Sequence, residues 1–275
     1  TDKIFTEAVY GGEKIDLQIS RLKRTTHIVV ATPGRLIDLV HRKDIDIRKV
    51  KTVILDEADE MLSMGFKDQL HEILSGLPKR ENTWLFSATM PEGIQEIIGQ
   101  HISKEAHQVK VSDKNLVNKK IAHQYVVCEN DDKLFPLLSL IKVQHKNQGI
   151  IFCKTKAATQ KLTKQLIAKN ILVDCLHGDM QQKEREKVMR AFKNGKVQIM
   201  VATDIAARGL DIQDLAYVAH YQLPENEEFY THRSGRTARA GKEGVSMVFA
   251  TPKEVGVLRN YERTLRIGFN QVRMK

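Results

Sequence analysis

Four carboxylates stand directly after a short apolar run in the stretch VILDEADEML, residues 53–62: Asp56, Glu57, Asp59 and Glu60. Adjacent carboxylates repel each other and raise each other's pKa unless a cation neutralises them. Mg²⁺ prefers one or two carboxylates together with water and substrate phosphates. The acids therefore predict a metal and phosphate site. The alternative is helix capping, because acids at the start of a helix gain about 0.3–1 kcal/mol from its dipole.

Phosphate-directed groups follow two other apolar runs in the first half of the chain. ATPGR (31–35) would place Thr32, Gly34 and backbone N–H groups opposite an anion at a helix N-terminus, with Arg35 adding charge. SATMP (87–91) brings the hydroxyls of Ser87 and Thr89 to one face, because side chains alternate along a strand. Capping of the next helix explains the two hydroxyls almost as well.

The second half of the chain carries a denser set of polar groups after the run VQIMV. The segment ATDIAARGLDI (202–212) concentrates polar and charged side chains and a glycine at one strand end, which capping alone does not explain. They are Thr203, Asp204, Arg208, Gly209 and Asp211.

Three arginines recur at every third position in HRSGRTARAG (232–241): Arg233, Arg236 and Arg239. They would share one helix face if this segment were helical. Guanidinium groups bind phosphate oxygens with two hydrogen bonds, and an arginine supplied to a transferring phosphoryl group raises the rate by about 10³–10⁵. A solvated basic helix is the alternative.

The elements that must position these residues alternate between short apolar runs and helical patterns. Runs that are apolar on both faces predict parallel strands covered by helices, as in HIVVA (27–31), GIIFC (149–153) and VSMVFA (245–250). Ligands of such sheets bind at the carboxyl ends of the strands, where the acids of VILD (53–56) fall.

Polar residues without either periodicity, VSDKNLVNKK (111–120), separate two such series and predict a linker. The sequence therefore predicts two similar parallel α/β domains, at 1–112 and 123–275, joined by a linker at 113–122.

Composition narrows the class of protein. The 275 residues are 41% hydrophobic and 28% charged, without an apolar stretch of the roughly 20 residues needed to span a bilayer. A net charge of +10 favours a polyanionic partner, although it also serves solubility. Cys128, Cys153 and Cys175 lack the spacing of a zinc site and indicate a reducing compartment.

The chain has no phosphate loop of the form G-x-x-x-x-G-K-[ST]. YGGEK (10–14) contains glycines and a lysine, but a tight turn explains it. Because the sequence begins at Thr1 without Met, we expect it to start inside a longer protein.

The ordered set GG, TPGR, DEAD, SAT, IIFCKT, HGDMQQKER, ATDIAARGLD and HRSGRTARAG closely resembles the DEAD-box RNA helicases over nearly the whole chain. The resemblance implies two RecA-like domains in tandem, the first incomplete at its N-terminus, which close on ATP and single-stranded RNA and locally unwind short duplexes. It also implies that the phosphate loop lies before Thr1, so that this chain alone is inactive and exposes a central strand edge.

The resemblance implies roles for individual residues. Asp56 would hold Mg²⁺ and Glu57 would activate the attacking water. Arg236 and Arg239 would complete the catalytic set as arginine fingers. Other residues would bind ATP or couple the nucleotide site to RNA: Asp59, Gly209 and Asp211 for ATP, and Ser87, Thr89 and His232 for coupling.

RNA would be held through its backbone, which carries no sequence code. The expected contacts come from both halves: Gly11, Gly12, Thr32, Pro33, Gly34, Arg35, Thr155, Gly178, Gln182, Arg185 and Thr203. A cytoplasmic helicase with ATP and Mg²⁺ as cofactors follows, with no membrane association and no obligate protein partner. The alternative is an ATP-independent RNA-binding or scaffold protein that has lost its nucleotide loop.

Overall fold

A computed structural model describes residues 3–110, 118–207, 212, 214–239 and 241–273. The chain divides into two compact units, Thr1–Lys110 and Val111–Lys275. Gly209 and Asp211, both expected to bind ATP, lie outside the described residues, as does Arg208.

The first unit alternates strands and helices. Its strands are β1 (Thr6–Val9), β2 (Ile28–Ala31), β3 (Thr52–Leu55) and β4 (Asn82–Leu85). Its helices are α1 (Ile15–Leu22), α2 (Pro33–His41), α3 (Ala58–Ser63), α4 (Lys67–Ser75) and α5 (Glu92–His101). The strands form two parallel pairs, β1 with β2 and β3 with β4.

The core of the first unit lies between β3 and the helices that follow it. Leu55, Ala58, Leu70 and Ile94 are buried together there. Many strand residues are exposed, by contrast: all four residues of β2 are open to solvent. Trp84 on β4 is 56% exposed.

The second unit is a single seven-stranded sheet. Its strands are β5 (Ile121–Val127), β6 (Gly149–Phe152), β7 (Val173–Leu176), β8 (Ile199–Ala202), β9 (Tyr217–His220), β10 (Gly244–Ala250) and β11 (Asn270–Gln271). Its helices are α6 (Leu134–Gln144), α7 (Lys156–Ile167), α8 (Gln182–Lys193), α9 (Asp204–Ala207), α10 (Glu227–Ser234) and α11 (Val255–Leu265).

All neighbouring strands of this sheet are parallel, in the order β11-β5-β10-β9-β6-β8-β7. The chain builds β7 and β8 on one side of β6 and then β9 and β10 on the other. The strand order therefore reverses at β6, and such a reversal opens a crevice at the carboxyl ends of the strands. Every residue of β6, β8 and β9 is buried.

The prediction of two similar sheets is wrong. The first unit has two separate pairs of strands, whereas the second has seven strands in one sheet. The apolar runs mark strands correctly in both units, but short apolar runs do not specify which strands pair. The strands β1, β5 and β11 were not among the predicted runs, because β1 (TEAV) contains polar residues, β11 has two residues, and β5 alternates buried and exposed positions at its start.

The predicted linker, 113–122, overlaps the first two residues of β5. Among the described residues, none of the helices has both the length and the apolar character needed to cross a bilayer.

Candidate functional site

The acidic segment lies where β3 ends and α3 begins. Asp56 and Glu57 are exposed, and a carboxylate oxygen of Asp56 accepts a hydrogen bond from the Glu57 amide at 3.0 Å. Glu57 has left-handed backbone angles, φ 50° and ψ 47°, and its side chain does not cap the helix. Because this conformation costs a residue with a side chain about 1–3 kcal/mol and clusters at functional sites, capping does not explain Glu57.

Asp59 is the buried member of the acidic segment, at 7% exposure. One of its oxygens accepts hydrogen bonds from the Thr89 amide at 2.7 Å and the Thr89 hydroxyl at 2.8 Å. The other accepts from the Glu60 amide at 3.1 Å. Burial acts to raise the pKa of Asp59, but the hydrogen bonds from Thr89, Glu60 and Ser87 outweigh it and hold the pKa below its ordinary value.

Ser87 and Thr89 follow β4, the strand paired with β3. The Asp59 amide donates to the Ser87 hydroxyl at 3.3 Å, and that hydroxyl donates to the Thr89 carbonyl at 2.6 Å. The next helix, α5, begins at Glu92 without a side-chain cap, so the capping interpretation of these hydroxyls is wrong. The structure instead ties the serine and threonine directly to the acidic segment.

The two glycine-bearing segments of the first unit lie at the ends of β1 and β2, which are paired. Arg35 donates two hydrogen bonds to the Glu13 carbonyl, at 3.2 and 3.3 Å, and so fastens the Gly11-Gly12 turn to the start of α2. The backbone of this turn requires glycine at position 12, since the φ angle of Gly12 is +87°. Helix α2 begins at Pro33.

Gly11, Gly12, Thr32 and Gly34 are all exposed at this end of the strands, while Pro33 is buried beneath them. The first amides of α2 have no partners within the helix, so this surface can accept an anion.

The RNA-directed residues predicted in the second unit follow β6, β7 and β8, which are neighbours in the sheet. Thr155 and Gly178 are exposed and Thr203 is 9% exposed. Thr155 also caps α7, since its hydroxyl oxygen accepts from the Ala158 amide at 3.1 Å. Sequence positions far apart therefore meet beside the reversal of strand order at β6.

Gln182 and Arg185 lie on the first turn of α8, beside these strand ends. Arg185 donates to the Ala206 carbonyl at 2.9 Å, which joins α8 to α9. Gln182 donates to Glu186 at 3.1 Å. Both side chains are half-buried.

The arginines of HRSGRTARAG do not share a helix face, and that prediction is wrong. Helix α10 ends at Ser234, so it carries only Arg233. Arg233 is 2% exposed and binds Asp204 with two hydrogen bonds, at 2.5 and 2.6 Å. Its guanidinium also donates to the Gln222 carbonyl at 3.0 Å and lies 5.0 Å from the centre of the Phe152 ring.

Arg236 and Arg239 lie on the segment between α10 and β10. Arg239 is exposed, and its Nε donates to the Gly235 carbonyl at 2.7 Å. Arg236 and His232 are half-buried. Two arginines of the motif are therefore placed on a loop, while the third is a buried structural residue.

A buried polar network behind α10 was not found from the sequence. The Tyr230 hydroxyl belongs to it, 2.5 Å from His123 Nδ1 and 3.1 Å from Ser246 Oγ. Ser246 Oγ also lies 3.0 Å from His220 and 2.9 Å from Ser234. Burial lowers the pKa of His123 to about 4 and that of His220 well below its ordinary value.

A single polar residue within an apolar strand pattern cannot be distinguished from its neighbours in the core by sequence alone. The sequence therefore gives no indication of this network. Among the residues that the structure describes, no group of three or more His, Cys, Asp or Glu side chains could hold a metal ion.

Two helicase families match the chain. The DEAD/DEAH box helicase family matches residues 2–97, and the helicase conserved C-terminal domain matches residues 132–241. Together with the parallel sheets and the polar strand ends, these matches place the chain among helicase-family proteins of the RecA-like parallel-sheet class.

Relatives and solved structures make the family specific. The DEAD-box ATP-dependent RNA helicase CshA of Bacillus cereus is 42% identical over 94% of this chain and 49% of its own length. A DEAD box protein from Methanococcus jannaschii is 37% identical, with a TM-score of 0.55 over 99% of this chain and 73% of that one. The chain belongs to the DEAD-box helicase family.

Dbp5 of S. cerevisiae, solved with RNA and ADP BeF3, is 28% identical, with a TM-score of 0.86 over 98% of this chain and 71% of that one. The chain spans about half the length of the curated relatives it matches. The predicted fold class, parallel α/β units in tandem, is confirmed.

Proposed function

We propose that this protein is an ATP-dependent RNA helicase, an RNA-dependent ATPase that clamps single-stranded RNA between two domains and locally unwinds short duplexes. The domains we propose are 1–112 and 123–275, with a linker at 113–122. The observation that carries the proposal is the exposed pair Asp56 and Glu57, with Glu57 held in a left-handed conformation that capping does not explain.

Glu57 is the residue we assign to the attacking water. As an exposed carboxylate, Glu57 can orient the water or accept its proton beside the γ-phosphate. Asp59 cannot exchange places with it, because its two oxygens already accept hydrogen bonds from Thr89 and Glu60. Asp59 contributes to ATP binding in our proposal by fixing the segment that carries Glu57.

Asp56 is the residue we assign to Mg²⁺. It fits the ion as an exposed carboxylate with hard oxygen donors, and the rest of the coordination would come from water and phosphates. When bound, the ion would neutralise charge on the phosphate oxygens.

Arg236 and Arg239 are the residues we propose as fingers toward the phosphates, with Gly209 and Asp211 completing the ATP contacts. An exposed guanidinium on a loop, such as Arg239, can reach a ligand at small structural cost. The strand-end residues of both units would hold the RNA backbone, and the contacts of Ser87 and Thr89 with Asp59 support their role in coupling. We place His232 in that coupling because it precedes the buried Arg233. The cytoplasm is the compartment we propose.

The test is Glu57→Gln in the longest natural form of the protein that contains these residues. The variant should lose RNA-stimulated ATP hydrolysis by about 10²–10⁴, yet bind nucleotide and RNA as the wild type does, because the amide keeps the shape of the side chain. Glu60→Gln, three residues along the same segment, is the matched control and should hydrolyse ATP normally. Wild-type turnover in Glu57→Gln would rule out the assignment.

Arg239→Ala tests the finger separately. Turnover should fall far more than RNA affinity, since the arginine acts on the phosphoryl group. An equal loss in both would make Arg239 another RNA contact. RNA binding itself should weaken steeply with added salt and vary little with sequence.

ATP-independent RNA binding is the second candidate, because the 275 residues contain no phosphate loop. The 275-residue chain should bind RNA without hydrolysing ATP under either function. The two candidate functions predict different results for the longest natural form of the protein. ATP hydrolysis by that form supports the helicase, and the absence of ATP hydrolysis supports the RNA-binding protein.

A further inference from the structure

The loop that carries Arg236 and Arg239 follows α10 directly, and its first amides, those of Arg236 and Thr237, donate to the carbonyls of Arg233 and Ser234 at 3.1 and 3.2 Å. It begins at Gly235, after the end of α10, and runs to Gly244 at the start of β10. One side of it is fixed by Leu215, whose amide donates to the Arg236 carbonyl at 3.2 Å and whose carbonyl accepts from the Thr237 hydroxyl. That contact lies before Arg239 in the chain.

Ala238, the residue next to Arg239, has a backbone conformation that its side chain disfavours. Its φ is +56°, and it is 1% exposed. A left-handed conformation at a residue with a Cβ persists only where neighbouring groups hold it. Two features surround it in the structure: Ala238 belongs to a buried apolar cluster with Ile121 and Tyr125, and the side-chain amide of Asn118 donates to the Ala238 carbonyl at 2.5 Å.

Asn118 is itself held in place by its own segment. Its side-chain oxygen accepts from the Lys120 amide at 3.0 Å, and its backbone carbonyl accepts from the Ile121 amide at 3.0 Å. The side chain is thus oriented by one hydrogen bond and uses its free N–H on Ala238.

Lys120 fixes the same loop on the far side of Arg239. Its ammonium donates to the Gly241 carbonyl at 2.6 Å, and its backbone carbonyl accepts from the Gly244 amide at 3.1 Å. Gly244 packs so closely on the loop that a Cβ there would lie 1.9 Å from the Thr237 hydroxyl oxygen. Residues 118–120 therefore contact the loop at positions 238, 241 and 244, on both sides of Arg239.

We infer that Asn118 and Lys120 are positioning residues for Arg239. They belong to the segment through which the chain enters β5, and they contact the loop through two side-chain hydrogen bonds and through the backbone hydrogen bond between Lys120 and Gly244. This inference rests on the proposed function, because it gives a phosphate-directed Arg239 a defined place. It assigns a role in catalysis to the segment that leads into the second unit.

Asn118→Asp is the sharpest variant, because it keeps the oxygen that accepts from Lys120 and replaces the N–H donor to Ala238 with a carboxylate oxygen, which repels the Ala238 carbonyl. In the 275-residue chain, hydrogen exchange should accelerate about fivefold to tenfold at the Leu215 and Lys242 amides, which are bonded to the carbonyls of Arg236 and Arg239. Unchanged exchange at both amides would overturn the inference. This measurement requires no ATP hydrolysis.

Ala238→Gly provides the rescue. Glycine adopts a positive φ without steric cost, so the double variant Asn118→Asp/Ala238→Gly should exchange more slowly than Asn118→Asp alone. Failure of the rescue would mean that Asn118 does not act through the conformation of Ala238, and the inference would be wrong.

Lys120→Met and Lys119→Met form a matched pair. Lys119 is the exposed neighbour of Lys120. Both changes remove one positive charge from the same segment, but only Lys120→Met should accelerate exchange in the loop. Equal effects would point to charge rather than position and would contradict the inference.

In the longest natural form of the protein, Asn118→Asp should lower the kcat for ATP hydrolysis about tenfold and leave the KM for ATP and the RNA affinity within about twofold. If kcat and RNA affinity fall together while wild type turns over, the positioning role is wrong and the helicase function stands. If wild type does not hydrolyse ATP, the proposed function fails, and the exchange experiments still decide whether the two residues position the loop.

Discussion

Similar apolar runs differ in their burial between the two units of this protein. IVVA in β2 is exposed along its whole length, whereas GIIF in β6 is completely buried. The difference lies in neighbours, because β6 has a strand on each side and β2 pairs only with β1. An apolar strand contributes to stability only where other elements cover it. The second unit should therefore be much the more stable. Four experiments test this difference in stability.

Hydrogen exchange should show the largest contrast. Amides of β6, β8 and β9 should exchange at least about 10⁴-fold more slowly than those of β2, because opening the buried sheet requires global unfolding of the second unit whereas β2 opens locally. Mass spectrometry of peptic peptides from the 275-residue chain measures both. Comparable protection in β2 and β6 would contradict the contrast between the units.

Arg233→Met should destabilise the second unit by about 3–5 kcal/mol, because it leaves the Asp204 carboxylate partly buried without its partner. Arg48→Met breaks an exposed pair with Asp46 in the first unit and should have no measurable effect. Urea unfolding followed by circular dichroism reports both units, and the fluorescence of Trp84, the single tryptophan, reports the first, so comparing the two transitions isolates the second unit. An unshifted transition in Arg233→Met would show that the pair carries no stability.

Acid should weaken the second unit through His123. Its pKa of about 4 in the folded state lies below the ordinary value of 6.5, so the unfolded chain binds more protons between these values. The contribution of His123 to the free energy of unfolding is complete above about pH 6.5 and is lost as the pH falls toward 4. The loss amounts to about 2 kcal/mol between pH 7 and pH 5.

His123→Gln removes this titration and should reduce the acid-induced loss of stability in the second unit, while the buried His220, whose pKa is also lowered, keeps part of that loss. His101 in the first unit also has a lowered pKa, because of burial and the nearby His71 and Arg80, but it is less buried. Trp84 fluorescence should therefore show a smaller pH dependence than circular dichroism. A slope that His123→Gln leaves unchanged would assign the pH dependence to other groups.

Glycine substitutions should give the smallest effects, with opposite signs in the two units. A Cβ at Gly149 would lie 2.2 Å from the Tyr217 ring, so Gly149→Ala should destabilise the second unit by about 1–3 kcal/mol. Gly99, inside α5, has open space around it, so Gly99→Ala should stabilise the first unit by about 0.5–1 kcal/mol. The same sign at both positions in urea unfolding would contradict this.

The sequence predicted most strands and the polar residues that follow them, because apolar runs and strand-end groups are local patterns. It failed where local spacing was extended to a tertiary arrangement. Arg233, Arg236 and Arg239 have the spacing of a helix face, yet α10 stops at Ser234 and Arg233 turns inward to Asp204. A partner 29 positions away in the sequence cannot be found from a three-residue period.

The family and the parallel α/β class could be predicted from the sequence alone, because motifs and hydrophobic runs consist of residues that are adjacent in the chain. Other features are visible only in the folded structure: the hydrogen bond between Thr89 and Asp59, and the left-handed backbone conformation of Glu57. The contacts of Asn118 and Lys120 with the loop of Arg239 are also visible only there. The reason is physical: hydrogen bonds join groups by distance in space, and burial depends on how many neighbours a strand acquires when the chain folds.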